Sequence, residues 1–335
     1  MTVNAKIKNT LSFFLRVGLS LALLIYVFSK VDLAKTAEIL KTADLGYIFL
    51  AAVTFIICMT ILCFRWFIFI KALDLSASRK NVILHYFYGM FGNLFLPTAI
   101  GGDLLKAVGL CKSSAQKTRV VASILLDRLS GFASIALVAV IAFIFGYRYI
   151  DDKISVAVPI LLMGLGTVSI AAVLFNEPVY SFCCRIFSRL PLFRESLMKM
   201  HYDIALLKES NKYKEGFKAI LLSCVSQIIF AFSYYFTAMA LHQDISIIYF
   251  LIFVPIICVI SSFPSIGGLG VREVGSAYLF AKIGIESGIA VSLTLINFLF
   301  MVMVGIAGGV LYVYTLSTGR IQHYSPDVSS EPGAA

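Results

Sequence analysis

Two short strings in this chain combine paired glycines with cations and carboxylates. Leu96 to Leu110 reads LPTAIGGDLLKAVGL, and Phe263 to Leu279 reads FPSIGGLGVREVGSAYL. Each holds a proline, then Ile-Gly-Gly, then a cation one helical turn later. The residues are Pro97, Ile100, Gly101, Gly102 and Lys106 in the first string, and Pro264, Ile266, Gly267, Gly268 and Arg272 in the second. The chemistry this suits is the grip of an anion. A helix that restarts after Gly-Gly presents free N–H groups and the positive end of its dipole. A lysine adds full charge, and an arginine can clamp phosphate oxygens bidentately. Asp103, Asp127 and Glu273 could hold the cations ready or take protons in a coupled cycle.

Other polar residues fall in the same apolar surroundings. The first half offers Asn93, Asp103, Lys106, Asp127 and Arg128, and the second offers Gln227, Arg272, Glu273, Lys282 and Asn297. A charge inside a bilayer costs about 2.5–3.5 kcal/mol on insertion scales, so such residues are functional candidates by default. Plainer roles compete. Gly-Gly in a membrane helix often serves close packing, and that is the better reading of Gly101-Gly102 taken alone. The second copy with a matching cation favours a site. Asp127 and Arg128 suit a structural ion pair as well as a functional one. Arg16 can snorkel to an interface. The scattered His85, His201, His242 and His323 and the seven cysteines show no ligand-like spacing, so no metal, no cofactor and no disulfide is expected.

The elements that must position these residues follow from composition. The chain has 335 residues, 60% hydrophobic and 14% charged, with a net charge of +10 and a mean hydropathy of +0.92. A soluble domain carries about 25% charged residues. The apolar residues come in runs of the roughly 20 residues needed to cross a bilayer. This predicts an all-α polytopic membrane protein and argues against reading the basic charge as a nucleic-acid footprint. The spans predicted are 10–28, 45–64, 119–147, 156–175, 216–241 and 287–315. The runs 82–96 and 246–263 end at the two Gly-Gly strings, and each could be a full span or the first limb of a re-entrant hairpin.

The two halves align segment by segment, with repeat one over about 10–147 and repeat two over about 156–315. Three spans and one hairpin per half make an odd number of crossings, so the halves must enter the bilayer in opposite senses. The expected fold is six spanning helices plus two re-entrant hairpins, or eight spans, in an inverted-topology repeat. Paired helix interruptions in corresponding halves point to a transport site at the repeat interface. Nineteen of the 28 lysines and arginines fall in the segments this scheme makes cytoplasmic, and seven in the outer ones. That bias predicts both termini inside. The scheme makes residues 1–318 one transmembrane domain. It includes a connector at 176–218 whose mixed basic and aromatic residues suit amphipathic surface helices. Residues 319–335 are expected to be a disordered tail.

The phrase N-x-x-x-P…G-G-D-x-x-K (Asn93 to Lys106), the pair Asp127-Arg128 and the phrase P-x-x-G-G-x-G-x-R-E (Pro264 to Glu273) resemble the lysylphosphatidylglycerol synthase transmembrane, or flippase-like, family. The resemblance runs over about residues 8–316. It implies an inner-membrane domain that moves a lipid between leaflets, and it selects Asn93, Pro97, Gly101, Gly102, Lys106, Arg128, Pro264, Gly267, Gly268, Gly270, Arg272 and Glu273. The soluble aminoacyl-transferase domain of full-length synthases has no counterpart here, so lysylphosphatidylglycerol synthesis is not expected.

The leading expectation is therefore transbilayer movement of an anionic phospholipid or polyprenyl-phosphate lipid across the cell inner membrane. It would be driven by the lipid gradient or by proton or sodium coupling, since no phosphate-binding loop occurs. The expected substrate-binding residues are Asn93, Gly101, Gly102, Asp103, Lys106, Asp127, Arg128, Gly267, Gly268, Arg272 and Glu273, with no catalytic residue. The alternatives are a membrane-embedded enzyme acting on lipid phosphates and a scaffold for a lipid-pathway enzyme. A homo-oligomer is compatible with either.

Overall fold

The structure is a computed structural model that describes residues 41–95, 101–112, 116–150, 152–186, 213–262 and 268–317. Among these there are helices and turns but no strand. The elements are α1 (Leu45–Ala72), α2 (Arg79–Phe95), α3 (Gly101–Lys112), α4 (Lys117–Gly146) with a 3-10 turn at Tyr147–Tyr149, α5 (Lys153–Phe175), α6 (Glu177–Ile186), α7 (Tyr213–Ala240), α8 (Ile247–Ile260), α9 (Val271–Ala281) and α10 (Ser287–Ser317). The helix ends follow ordinary capping chemistry. Asp44 accepts from the Gly46 N–H at 2.7 Å, Asn176 accepts from the Val179 N–H at 3.3 Å, and Ser78 accepts from the Asn81 N–H at 3.2 Å.

Five helices are long and apolar enough to cross a membrane: Leu45–Ala72, Lys117–Tyr149, Lys153–Phe175, Lys214–Ala240 and Ser287–Thr315. They match five of the six predicted spans. The sixth, 10–28, lies outside the described residues, as do most of the connector, the tail, Pro97, Pro264 and Gly267. The boundary predicted at residue 64 is too early, because α1 runs on to Ala72. Arg65, which the predicted boundary leaves just outside the span, therefore lies within the long apolar helix. It is tolerated there because a partner helix supplies a carboxylate.

The two shorter apolar runs form helical hairpins. In the first, α2 and α3 run antiparallel with almost no space between them. The Asn93 Oδ1 accepts from the Gly102 N–H at 3.0 Å, Gly89 lies against Lys106, and Gly109 lies against His85. A Cβ on Gly102 would run into the Asn93 side chain and the Gly89 carbonyl oxygen. Gly102 thus serves the close packing that Gly-Gly commonly provides. Gly102→Ala is expected to cost about 1–3 kcal/mol by overpacking, read as a lowered thermal midpoint in detergent. An unchanged midpoint would mean that the hairpin opens freely.

In the second hairpin, α8 is 14 residues long, or about 21 Å at 1.5 Å per residue. The hydrocarbon layer is about 30 Å thick. The return helix α9 runs back along it, with Gly275 against Ile260 and Phe280 edge-on to Phe253 at 5.4 Å. At its start Gly268 and Gly270 adopt φ of +80° and +85°, a region open to glycine and strained for other residues.

Helices distant in sequence pack together. The long helices α1 and α7 lie along each other. The hairpin limb α2 of the first half packs on α10 of the second, and the limb α8 of the second half packs on α4 of the first. Glycines permit the close crossings, since Gly308 would meet the Phe87 backbone with any added Cβ, and Gly146 would meet Ile252. At one end Lys282, just after α9, pairs with Asp152, the N-cap residue of α5, at 2.6 Å. The hydrogen bond from Lys282 holds the Asp152 carboxyl down to about 2. With the folded value depressed, the stabilising contribution is fully present above the ordinary carboxylate value near 4 and is lost only as pH falls toward 2. The link therefore persists through the physiological range.

Candidate functional site

The charged residues of the first half converge in one buried network. Arg65 on α1 donates from Nε to the Asp127 Oδ1 on α4 at 2.6 Å, and from Nη1 to the Ser223 hydroxyl on α7 at 3.1 Å. Asp103, in the first turn of α3, accepts from Arg128 Nε at 2.5 Å. Lys106 stands between the two carboxylates, 3.9 Å from Asp103 and 4.0 Å from Asp127. Arg65, Lys106 and Asp127 are 8%, 7% and 5% exposed, respectively. The network thus joins α1, α3, α4 and α7.

Lys106 is held in an unusual way. Its ammonium lies 4.5 Å from the Tyr86 ring centroid and 5.2 Å from that of Trp66, within cation–π range. Trp66 is itself oriented by its indole N–H, which donates to the Ser123 hydroxyl at 3.3 Å. Both carboxylates lie beyond hydrogen-bond distance, and Lys106 donates no hydrogen bond to the described residues. A second group left without a partner among the described residues is the buried Gln227 Oε1, one turn along α7 from Ser223. A Cβ on Gly131, one turn beyond Asp127, would stand 3.1 Å from the Arg65 Nη1, so the glycine leaves the guanidinium room.

The second half builds a smaller pair. Glu273 is fully buried. It accepts from Arg272 Nη2 at 2.7 Å through Oε1 and from the Gly270 N–H at 2.7 Å through Oε2. One carboxylate therefore neutralises the arginine and caps α9. The Arg272 guanidinium also lies 4.6 Å from the Phe298 ring centroid. Asn297, on α10, bridges to α7, accepting from the Ser233 hydroxyl at 2.8 Å and donating to Thr237 at 3.1 Å.

The predicted site residues are thus partly gathered and partly separated. Asn93, Gly102, Asp103, Lys106, Asp127 and Arg128 assemble around α3, and Gly101 packs against Gly92. Gly268, Arg272 and Glu273 assemble at the start of α9, while Gly267 lies outside the described residues. No ion pair joins Lys106 to the Arg272 group among the described residues, because each cation is held by carboxylates of its own half. Sequence reading missed Arg65, Ser223, Trp66 and Tyr86. A signal for Arg65 was present: the apolar run continues past it through Trp66, Phe67 and Ile70.

Each half contributes a polar bridge between long helices. Arg65 on α1 pairs with Asp127 on α4, and the Ser233 hydroxyl on α7 pairs with Asn297 on α10. The first half uses an ion pair where the second uses a neutral hydrogen bond. The asymmetry matters because a buried charge responds to an ionic ligand far more strongly than an amide does.

Apolar spanning helices packed around buried charge networks define a multi-pass helical membrane protein. The chain belongs to the family described as "Lysylphosphatidylglycerol synthase TM region", which matches residues 13–309, most of its length and both Gly-Gly strings. It is similar to the UPF0104 membrane protein PH1989 of Pyrococcus horikoshii, with 24% identity over 309 residues, covering 84% of this chain and 90% of that protein. No solved structure matches it.

Proposed function

We propose that this chain moves a lipid with an anionic phosphate headgroup between the leaflets of the cell inner membrane. The headgroup site is the Arg65–Asp127–Lys106–Asp103–Arg128 network, with Arg272–Glu273 as its counterpart in the second half. The observation that carries this reading is Lys106, a buried ammonium without a hydrogen-bond acceptor among the described residues, in a network of three cations and two carboxylates. A phosphate oxygen at Lys106 would fill its donors and balance the excess cation. The Gln227 Oε1 could accept from a headgroup hydroxyl.

The exchanged pairing of limbs and long helices supports an inverted repeat, with each hairpin entering from one face as re-entrant limbs. The positions of Lys and Arg support both termini on the cytoplasmic side, though Arg65 and Lys106 leave that tally as buried site residues. Each candidate acid–base carboxylate, Asp103, Asp127 or Glu273, is committed to an arginine. This favours binding over an enzymatic role. The lipid gradient, or proton or sodium coupling, would drive the movement.

The test is headgroup movement in liposomes containing the purified protein. Lys106→Gln and Arg272→Gln are each expected to slow an anionic lipid about tenfold or more, since hydrogen bonds to charged groups are worth about 1.5–3 kcal/mol. Rates equal to wild type in both variants would remove these residues from the site.

A further inference from the structure

Beside the charge network, α1 and α2 diverge and leave an apolar slot of about 360 Å³. Small-molecule sites span about 300–1,000 Å³, so the slot is narrow but large enough for a single chain. Its walls include Met59, Cys63 and Phe67 of α1 and Ile83 and Tyr86 of α2. At its rim Ile56 and Phe64 are 56% and 59% exposed, on a helix long and apolar enough to span a membrane, so the mouth opens on an apolar exposed face suited to contact with acyl chains. The inner wall is Tyr86, the same ring that lies under the Lys106 ammonium.

The slot has one charged lining residue, Arg79, at the first position of α2. Arg79 is exposed and has no ion-pair partner among the described residues, and no carboxylate lines the slot. An apolar slot open to the acyl region, with one cation at the polar end of its helix, complements an amphiphile with an anionic head and a hydrocarbon tail. A neutral lipid would leave Arg79 unused, and a free anion would leave the slot unused.

We propose that this slot seats one hydrocarbon chain of a lipid whose anionic phosphate is held by Arg79, with Tyr86 separating the chain from Lys106. The inference rests on the reading of the charge network as a headgroup site. It adds the place where the lipid waits before its head reaches that network. Tyr86 is then a positioning residue that touches both the chain and the cation.

The single tryptophan of the chain gives the readout. Trp66 lies on α1 between the slot residues Cys63 and Phe67. The full-length protein is placed in phosphatidylcholine liposomes doped with doxyl-chain phosphatidylglycerol or doxyl-chain phosphatidylcholine. Quenching of Trp66 by the anionic lipid is expected to show about fivefold higher apparent affinity, the worth of one arginine facing an anionic lipid. Arg79→Gln should erase the preference, Arg79→Lys should keep it, and the slot-filling Ile83→Phe should weaken quenching by both lipids. Equal quenching by the two lipids in wild type, or full quenching in Ile83→Phe, would overturn the assignment. So would loss of the preference on adding millimolar inorganic phosphate, which would place a free anion at Arg79. This readout is equilibrium binding. Its failure leaves transport through the charge network standing, and an unchanged transport rate in Lys106→Gln leaves the slot standing.

Discussion

Replacing Asp127 with alanine is expected to destabilise the protein by about 3–5 kcal/mol, because it strands charge in the interior rather than merely deleting a contact. Asp127 binds Arg65 directly and lies 4.0 Å from Lys106, so one substitution strips Arg65 of its carboxylate and leaves Lys106 with Asp103 alone, which Arg128 already engages. The measurement is the monodisperse fraction remaining after graded heating in detergent. The double variant Arg65→Met, Asp127→Leu removes charge from both sides and should recover most of the loss, since apolar replacement of a buried pair is often neutral. It should still fail to move lipid, because Lys106 then faces a rearranged pocket. That split separates the structural role of the pair from its part in transport. If Asp127→Ala alone proves as stable as wild type, the carboxylate is not what neutralises Arg65.

Glu273 carries the second large effect because it performs two tasks with two oxygens. In Glu273→Ala the Gly270 N–H loses its acceptor, a loss of about 0.5–2 kcal/mol for an N-cap, and Arg272 becomes an unpaired buried cation, which costs several kcal/mol more. Glu273→Gln can keep the cap through its amide oxygen while losing the ion pair. Hydrogen exchange at the amides of 270–275 distinguishes them. Alanine should expose these amides, whereas glutamine should leave them protected while the global midpoint falls. Equal exchange in the two variants would show that the cap is not made by this side chain. The left-handed Gly270 cannot be replaced as a control, since any side chain there would add strain of its own.

Much of the fold was legible because hydrophobic run length is a local property. Five predicted spans match helices of crossing length, since every backbone group in hydrocarbon must be satisfied within its own helix. The two shorter apolar runs were legible as well, but the runs alone left open whether each was a full span or the limb of a hairpin. The two Gly-Gly strings proved less alike than their letters. Gly101 and Gly102 continue into α3 and serve close packing with α2. Gly268 and Gly270 adopt positive φ and start α9 three residues later.

By itself the sequence determined that this is a helical membrane chain with charge concentrated near two helix interruptions. It also named the family, because motif spacing survives where overall identity is low. Only the tertiary structure decided which charges meet. Arg65 reaches Asp127 across 62 positions and Ser223 across 158, and no periodicity within one helix encodes such a pairing. The cost of a buried charge explains the difference. Sequence reveals that a cation lies in an apolar run, but whether it ends the span or is paid for by a carboxylate on another helix depends on packing between helices. The two Gly-Gly strings that suggested one shared anion site instead hold their cations in separate groups, Arg272 paired with Glu273 and three cations sharing two carboxylates around Lys106, whose ammonium lacks a hydrogen-bond acceptor among the described residues.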